Sequence, residues 1–168
     1  MRSHLAAAVF LWVVVGGVGA WGQHEHAQGA HDQHQADIKR RGAEAMGFNQ
    51  ETTTHHFRLT PQGGMIQVTA NSAADTAGRD HIRQHLADIA KRFPAGDFSP
   101  ATHTHGQAPP GSEQMTALAS TISYKYEELE RGGRVVISSK DPAAVKAIHE
   151  FLRFQIKEHQ TGDPLTVK

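Results

Sequence analysis

Histidine is the residue that could do chemistry in this chain. Thirteen occur in 168 residues, against no cysteine. Four fall within eleven residues, "HEHAQGAHDQH" (24–34), and eight lie further on: His55, His56, His81, His85, His103, His105, His149 and His159. Imidazole is the commonest protein ligand for transition metals and titrates close to neutral pH, so metal binding is the first chemistry to weigh. Three spacings suit it. His81 and His85 are four apart, which on a helix puts both rings on one face. His103 and His105 flank a single residue. His55 and His56 are adjacent, and on a strand neighbours point to opposite faces, so at most one of them enters a given site.

Other chemistries find less support. "HIRQH" lacks the Glu after its first His that supplies the general base in the HExxH protease pattern. There is no G-x-S-x-G, P-loop or dinucleotide-binding fingerprint. The absence of cysteine excludes disulfides, thiolate zinc sites, c-type haem attachment and a lipidated N-terminus. Seventeen basic residues against seventeen acidic ones leave no basic footprint for nucleic acid. Imidazole suits copper, zinc and nickel, and a thioether tilts the preference toward copper(I). Met46, in "EAMGF" just before the His55–His56 pair, is the best-placed thioether, whereas Met65 and Met115 read as core residues.

The elements that must position these residues follow from the pattern of the chain. "MRSH" followed by the sixteen-residue apolar run "LAAAVFLWVVVGGVGA" reads as a signal peptide, residues 1–22, with cleavage after Ala20 or Gly22. The run is short for a spanning helix, which needs roughly 20 residues. Residues 23–36 hold no large apolar side chain and are expected to be a disordered, histidine-rich tail. A single domain is expected over 37–163, with a C-terminal tail at 164–168. It begins with a short helix at 36–48. "TTTHHFRLTPQGGMIQV" reads as a β-hairpin turning at "PQGG", and "DHIRQHLADIAKRF" as the amphipathic helix after it. Residues 94–111, with four prolines, read as a long loop, and Ser112 caps a short helix. "TISYKYEELE" and "RVVISSK" form a second hairpin, and Asp141-Pro142 starts a second long helix that runs toward Gly162.

The order is therefore ββα twice. Gly63-Gly64 and Ile66-Gln67-Val68 match Gly132-Gly133 and Val135-Val136-Ile137 at a spacing of 69, though the helices do not align at that spacing. The fold class expected is α+β: duplicated ββα units forming a four-stranded, mainly antiparallel sheet with two long helices on one face. This topology puts His55 or His56 and His81 at one end of the first half, with His85 one turn further along. His149 takes the corresponding region of the second half, and the loop carrying His103 and His105 can close over either.

Each histidine also has a plain explanation. His81 suits a solvated helix face, because Ile82 and Leu86 define the buried one. His85 can be a satisfied polar group beside the core. His55 and His56 can be ordinary strand residues, and His149 can pair with Arg153 one turn on. His159 is accounted for by the helix dipole, which favours a cation at a C-terminus, and is left out of the candidate site. The tail binds divalent metals loosely whatever its purpose.

The stretches "RGAEAMGFNQETTTHHFRL", "GDFSPATHTHG", "PPG", "RGGRVVI" and "HEFLRFQIKEHQTGD" resemble a group of short exported bacterial proteins whose function is not established. The resemblance covers residues 40–163. It implies a secreted single domain and no particular activity, and it points to His55, His56, His85, His105 and His149.

The expectation is thus an exported, periplasmic or secreted protein that binds copper or zinc for handling or storage. His56, His85 and His105 are the first ligands, with His55, His149 and Met46 as further candidates. Its partner is the metal ion, with no nucleic acid and no membrane once the leader is removed. Binding needs deprotonated imidazoles, so affinity is expected to fall below about pH 6. The contrasting expectation is a non-catalytic structural or protein-interaction domain with structural histidines. A metal-dependent enzyme would need an open coordination position and a nearby carboxylate, for which Glu51, Asp80 and Glu150 are available but none is singled out.

Overall fold

Helix α1 (Trp21–Met46) opens the part of the chain described by the computed structural model, which covers residues 21–167, with side chains from Gly29 onward. Residues up to Gln33 form one unit and His34 onward a second. The leader lies outside the described residues apart from Trp21 and Gly22. The tail, expected to be disordered to residue 36, is helical instead. Its Ala, Gln, Glu and His residues are compatible with a helix, and no proline or β-branched residue interrupts them before Ile38. No described helix is long and apolar enough to cross a membrane.

The second unit continues with strands β1 (Thr53–Thr60) and β2 (Gly63–Ala70) and helices α2 (Thr76–Arg92), α3 (Ser99–His105) and α4 (Ser112–Ala117). Strands β3 (Ile122–Leu129) and β4 (Gly132–Ser139) and helix α5 (Pro142–Glu158) complete it. The sheet is four-stranded, in the order β1-β2-β4-β3, with every neighbouring pair antiparallel. This is the α+β architecture that the hydrophobic pattern predicts. Phe57, Leu59, Ile66, Val68, Val135 and Ile137 alternate onto the buried face of the sheet. Ile82, Leu86 and Ile89 of α2 pack there, as do Ile148, Leu152 and Ile156 of α5. Asp75 and Asp141 start these helices by accepting from the Gly78 and Ala143 amides.

The halves correspond more closely than one spacing suggests. Both hairpins repeat at 69 residues (53 to 122, 63 to 132), whereas α2 and α5 repeat at 66 (76 to 142). The connection from β2 to α2 has five residues, 71–75, and that from β4 to α5 has two, 140–141, which supplies the difference of three. At a spacing of 66 the helices align: Asp75 with Asp141, Ile82 with Ile148, Leu86 with Leu152. The duplicates Ile66 and Val135 are register partners across β2 and β4, so the relation between the halves is an approximate two-fold through that pair.

The repeated glycine pairs have a reason in this arrangement. A Cβ on Gly63 would meet the Ile137 carbonyl, and one on Gly132 would meet the Val68 carbonyl, its symmetry mate. A Cβ on Gly64 would run into the Leu152 side chain and the Arg58 carbonyl. One on Gly133 would crowd Tyr126 at 2.9 Å and the Leu86 side chain at 3.4 Å. Each helix therefore lies over the glycine of the other half: α5 over β2, and α2 over β4.

Two expectations need correction. Residues 94–111 are not one loop, because α3 forms within them, with Pro100 in its first turn and Gly106 closing it at φ 69°. Proline costs nothing at that position, since the first amides of a helix have no intrahelical acceptor. Met65 is not core. It is partly exposed on the sheet face away from the helices, while Met115 is fully buried.

Because Leu86 and Leu152 occupy equivalent, fully buried places, Leu86→Ala and Leu152→Ala should each cost about 2–5 kcal/mol. Urea denaturation should show a lower midpoint with an unchanged m-value. A loss below about 1 kcal/mol for either would show that the crossed helices are not the main support.

Candidate functional site

Strand alternation decides which of the adjacent histidines turns inward. His55 shares the buried side of β1 with Thr53 and Phe57, and His56 takes the other side. His56 Nδ1 donates to Asp163 Oδ1 at 3.1 Å, and the Phe57 amide donates to Asp163 Oδ2 at 3.0 Å. The C-terminal segment is clipped to the edge of β1 by this carboxylate, and His56 belongs to the clip.

Four other elements bring side chains to His55. His85 comes from α2, one residue before the buried Leu86. His105 ends α3 and is 3% exposed. His159 is the C-cap residue of α5, and Gln155 lies one turn before it on the same helix. Met46 comes from the end of α1. All of these line a cavity of about 50 Å³. The His55 and His159 rings stack, with centroids 5.4 Å apart and planes 10° apart. His159 meets His105 edge to face at 5.1 Å. His85 stands a little further off, edge-on to Phe48 at 5.8 Å, with Phe48 in turn 6.0 Å from His55.

Burial keeps these imidazoles uncharged. It pushes His55 down to about 4, helped by the nearby His85 and His56. It pushes His85 down to about 4 as well, with Asp88 acting against the shift and Arg92 with it. His159 is held well below its ordinary value by burial, then by His55 and His105. His105 is lowered by burial, against the opposing effects of its hydrogen bond to Gln155 and of Glu158, with Arg41 and His34 adding to the lowering. The pH at which protons compete for these nitrogens therefore lies below the value of roughly 6.5 of a free imidazole.

The hydrogen bonding is incomplete. His105 Nε2 donates to Gln155 Oε1 at 2.9 Å, and His159 Nδ1 donates to Gln50 Oε1 at 3.2 Å. His55 Nε2, His105 Nδ1 and the Gln155 amide nitrogen are buried with no hydrogen-bond partner among the described residues. Buried polar atoms are rarely left so, because each unmade bond costs about 1–3 kcal/mol. Three such atoms on side chains that line one cavity mark a place suited to meet something polar. A volume of about 50 Å³ exceeds the roughly 10–15 Å³ that a single water needs.

The structure thus gathers Met46, His55, His85 and His105 from among the expected residues and leaves out two. His56 is held by Asp163. His149 Nε2 donates to the Thr60 carbonyl at 2.9 Å, away from the cavity. His81 and His103 are exposed. His159, set aside as a helix-dipole residue, is in the middle of the cluster, where burial disfavours the cation that the dipole would favour. The signal for it was present: Ile148, Leu152, Gln155 and His159 continue one stripe of α5, so a histidine at its end falls on the buried face. Glu51 and Asp80 are exposed, and none of Glu51, Asp80 and Glu150 lines the cavity. Among the described residues no group of three or more His, Cys, Asp or Glu side chains is placed to hold a metal ion. Compared with known proteins, the chain matches no family model, no curated protein and no solved structure.

Two predictions concern stability. In the unfolded chain the cluster histidines take up protons near 6.5, whereas in the folded chain His55 and His85 do so only near 4. The unfolded state then binds more protons between those values, so stability is lost as pH falls from 6.5 to about 4. The urea midpoint should drop across that window, and His85→Phe should flatten the drop; an unaltered pH dependence in this variant would refute the assignment. Separately, Asp163→Ala should cost about 1.5–3 kcal/mol, the worth of hydrogen bonds to a charged group, read as a lower urea midpoint.

Proposed function

We propose that this is an exported, periplasmic or secreted metal-binding protein that takes up copper or zinc in the histidine cavity. The observation that carries the proposal is the pair of buried nitrogens without hydrogen-bond partners, His55 Nε2 and His105 Nδ1, on rings that line one small cavity together with His159. The donor chemistry fits. Metal ligation requires a deprotonated imidazole, and these rings are uncharged at neutral pH. Two imidazoles sharing an ion at bonds of about 2.0–2.1 Å have ring centroids about 5–6 Å apart, the separation already found for His55–His159 and His105–His159. Uptake then requires the rings to turn, not the backbone to travel.

Access is through Met46 and His85. Both also line an outer cleft that carries Glu44, His81 and Asp88, so they form the partition between surface and cavity. The tail histidines act as a low-affinity collector, and the cavity is the site that holds the ion.

The test separates the two. The chain from residue 23, with His24, His26 and His31 changed to Gln, is titrated with zinc and with copper(I) in the absence of oxygen. One ion per chain should bind, and at a free concentration 100 times Kd it should stabilise the fold by about 2.7 kcal/mol. His105→Gln should abolish this while leaving the circular dichroism unchanged. Loss of all stoichiometric binding with the tail histidines would leave a structural or interaction domain whose buried histidines bind no metal.

A further inference from the structure

Resting on that reading, we infer that the ion is copper(I), and that His105 through Nδ1 and His159 through Nε2 are its anchoring ligands, set by Gln155 and Gln50.

The ligand assignment comes from proton positions. A glutamine carbonyl oxygen only accepts, so each ring nitrogen bonded to one carries the hydrogen. His105 is therefore protonated on Nε2 and His159 on Nδ1. A neutral imidazole has one N–H and one lone pair, which leaves His105 Nδ1 and His159 Nε2 as the lone-pair nitrogens. The orientation of Gln50 has its own support: its amide nitrogen donates to the Ile38 carbonyl at 3.5 Å, which turns its oxygen toward His159. Metal-binding histidines commonly donate their other ring N–H to an oxygen acceptor in this way, which fixes tautomer and ring angle before an ion arrives. Gln50 precedes β1 and Gln155 lies on α5, so the two acceptors hold the rings from opposite ends of the second unit's sequence. His55, whose Nε2 has no partner and which stacks on His159, is the third imidazole within reach.

The identity of the ion follows from charge and softness. Neither Asp nor Glu lines the cavity; its walls are otherwise apolar side chains with Gln155 and Thr104. A divalent ion would bring two positive charges into these surroundings, where burying charge without a counter-charge is strongly unfavourable. A monovalent ion brings one, and one carboxylate is at hand: Glu158 Oε2 lies 3.8 Å from His105 Nδ1 and 2.9 Å from His34 Nε2. Imidazole with thioether, here Met46, is a donor set that copper(I) accepts and that suits zinc less well. Copper(I) is also content with two or three ligands, so the set need not be completed by groups the cavity lacks.

The experiment uses the chain from residue 23 with His24, His26 and His31 changed to Gln, kept reduced and free of oxygen. Copper(I) is presented in competition with a chromophoric copper(I) chelator, and zinc with a chromophoric zinc chelator. The expected result is one copper(I) per chain, held at least 100-fold more tightly than zinc. Gln50→Leu and Gln155→Leu should each weaken copper(I) binding 10- to 100-fold, the usual effect of removing an outer partner of a ligand. Gln50→Glu, which keeps an acceptor oxygen, should restore most of the affinity. One zinc bound more tightly than copper(I) would overturn the copper(I) inference and leave the histidine cavity standing as a metal site. Copper(I) affinity unmoved by Gln50→Leu, in a variant whose urea midpoint is also unmoved, would overturn the ligand assignment. No binding of either ion would remove this inference and the metal-binding reading together.

Discussion

Everything in the second unit depends on one contact made twice: a buried leucine of a helix resting on a glycine of the strand from the opposite half. Leu152 lies against Gly64, and Leu86 against Gly133. A side chain at either glycine would lift the helix off the sheet. Because each helix crosses to the other half, neither ββα unit can complete its core without its neighbour. The central β2–β4 pairing is thus reinforced from above by both helices, and the buried face becomes one continuous cluster rather than two.

That crossing also positions the histidines. With α5 laid over β2 and reaching toward β1, its C-terminal end comes to rest beside the inner side chains of β1, so His159 stacks on His55. With α2 laid over β4, His85 faces the same region from the other side, and α3 closes it with His105. The polar cluster sits in an apolar wall that includes Phe57, Phe93 and Phe151, and this wall is what keeps the rings uncharged. Electrostatics and packing are here one cause seen twice: the aromatic side chains that stabilise the fold also remove the water that would protonate the imidazoles.

Much of this was legible in the sequence, and the reasons are local. Strand alternation, two tight turns and an Asp-Pro helix start determine the hairpins and α5, and the glycine pairs disclosed the duplication. What periodicity could not show was that a shorter connection shifts the second helix by three residues, which hid the helix correspondence. The site was half legible. His85 and His105 stand out by type and spacing, but choosing between His55 and His56 requires knowing which strand face is covered. His56 turns to the other face of β1, away from the cavity, where Asp163, a residue 107 positions away, takes its Nδ1. His159 was explained too early by a local rule, the helix dipole, when its stripe on α5 carried the stronger information. The tail misled in the opposite direction, since a composition that cannot build a core can still run as a helix.

The approximate two-fold has one further consequence. Its operation carries His55 onto Tyr124, His85 onto Phe151 and His159 onto Phe93, so each of these three histidines has an aromatic counterpart. Two separate copies of one ββα piece could build the same sheet as a homodimer, but identical copies would have to carry the same residue at both mates. Keeping all three histidines would then double each of them and replace Tyr124, Phe151 and Phe93. A cluster of this kind is accessible only to a polypeptide in which the two halves are joined and free to differ, so the chemistry belongs to the broken symmetry and the stability to the symmetry that remains.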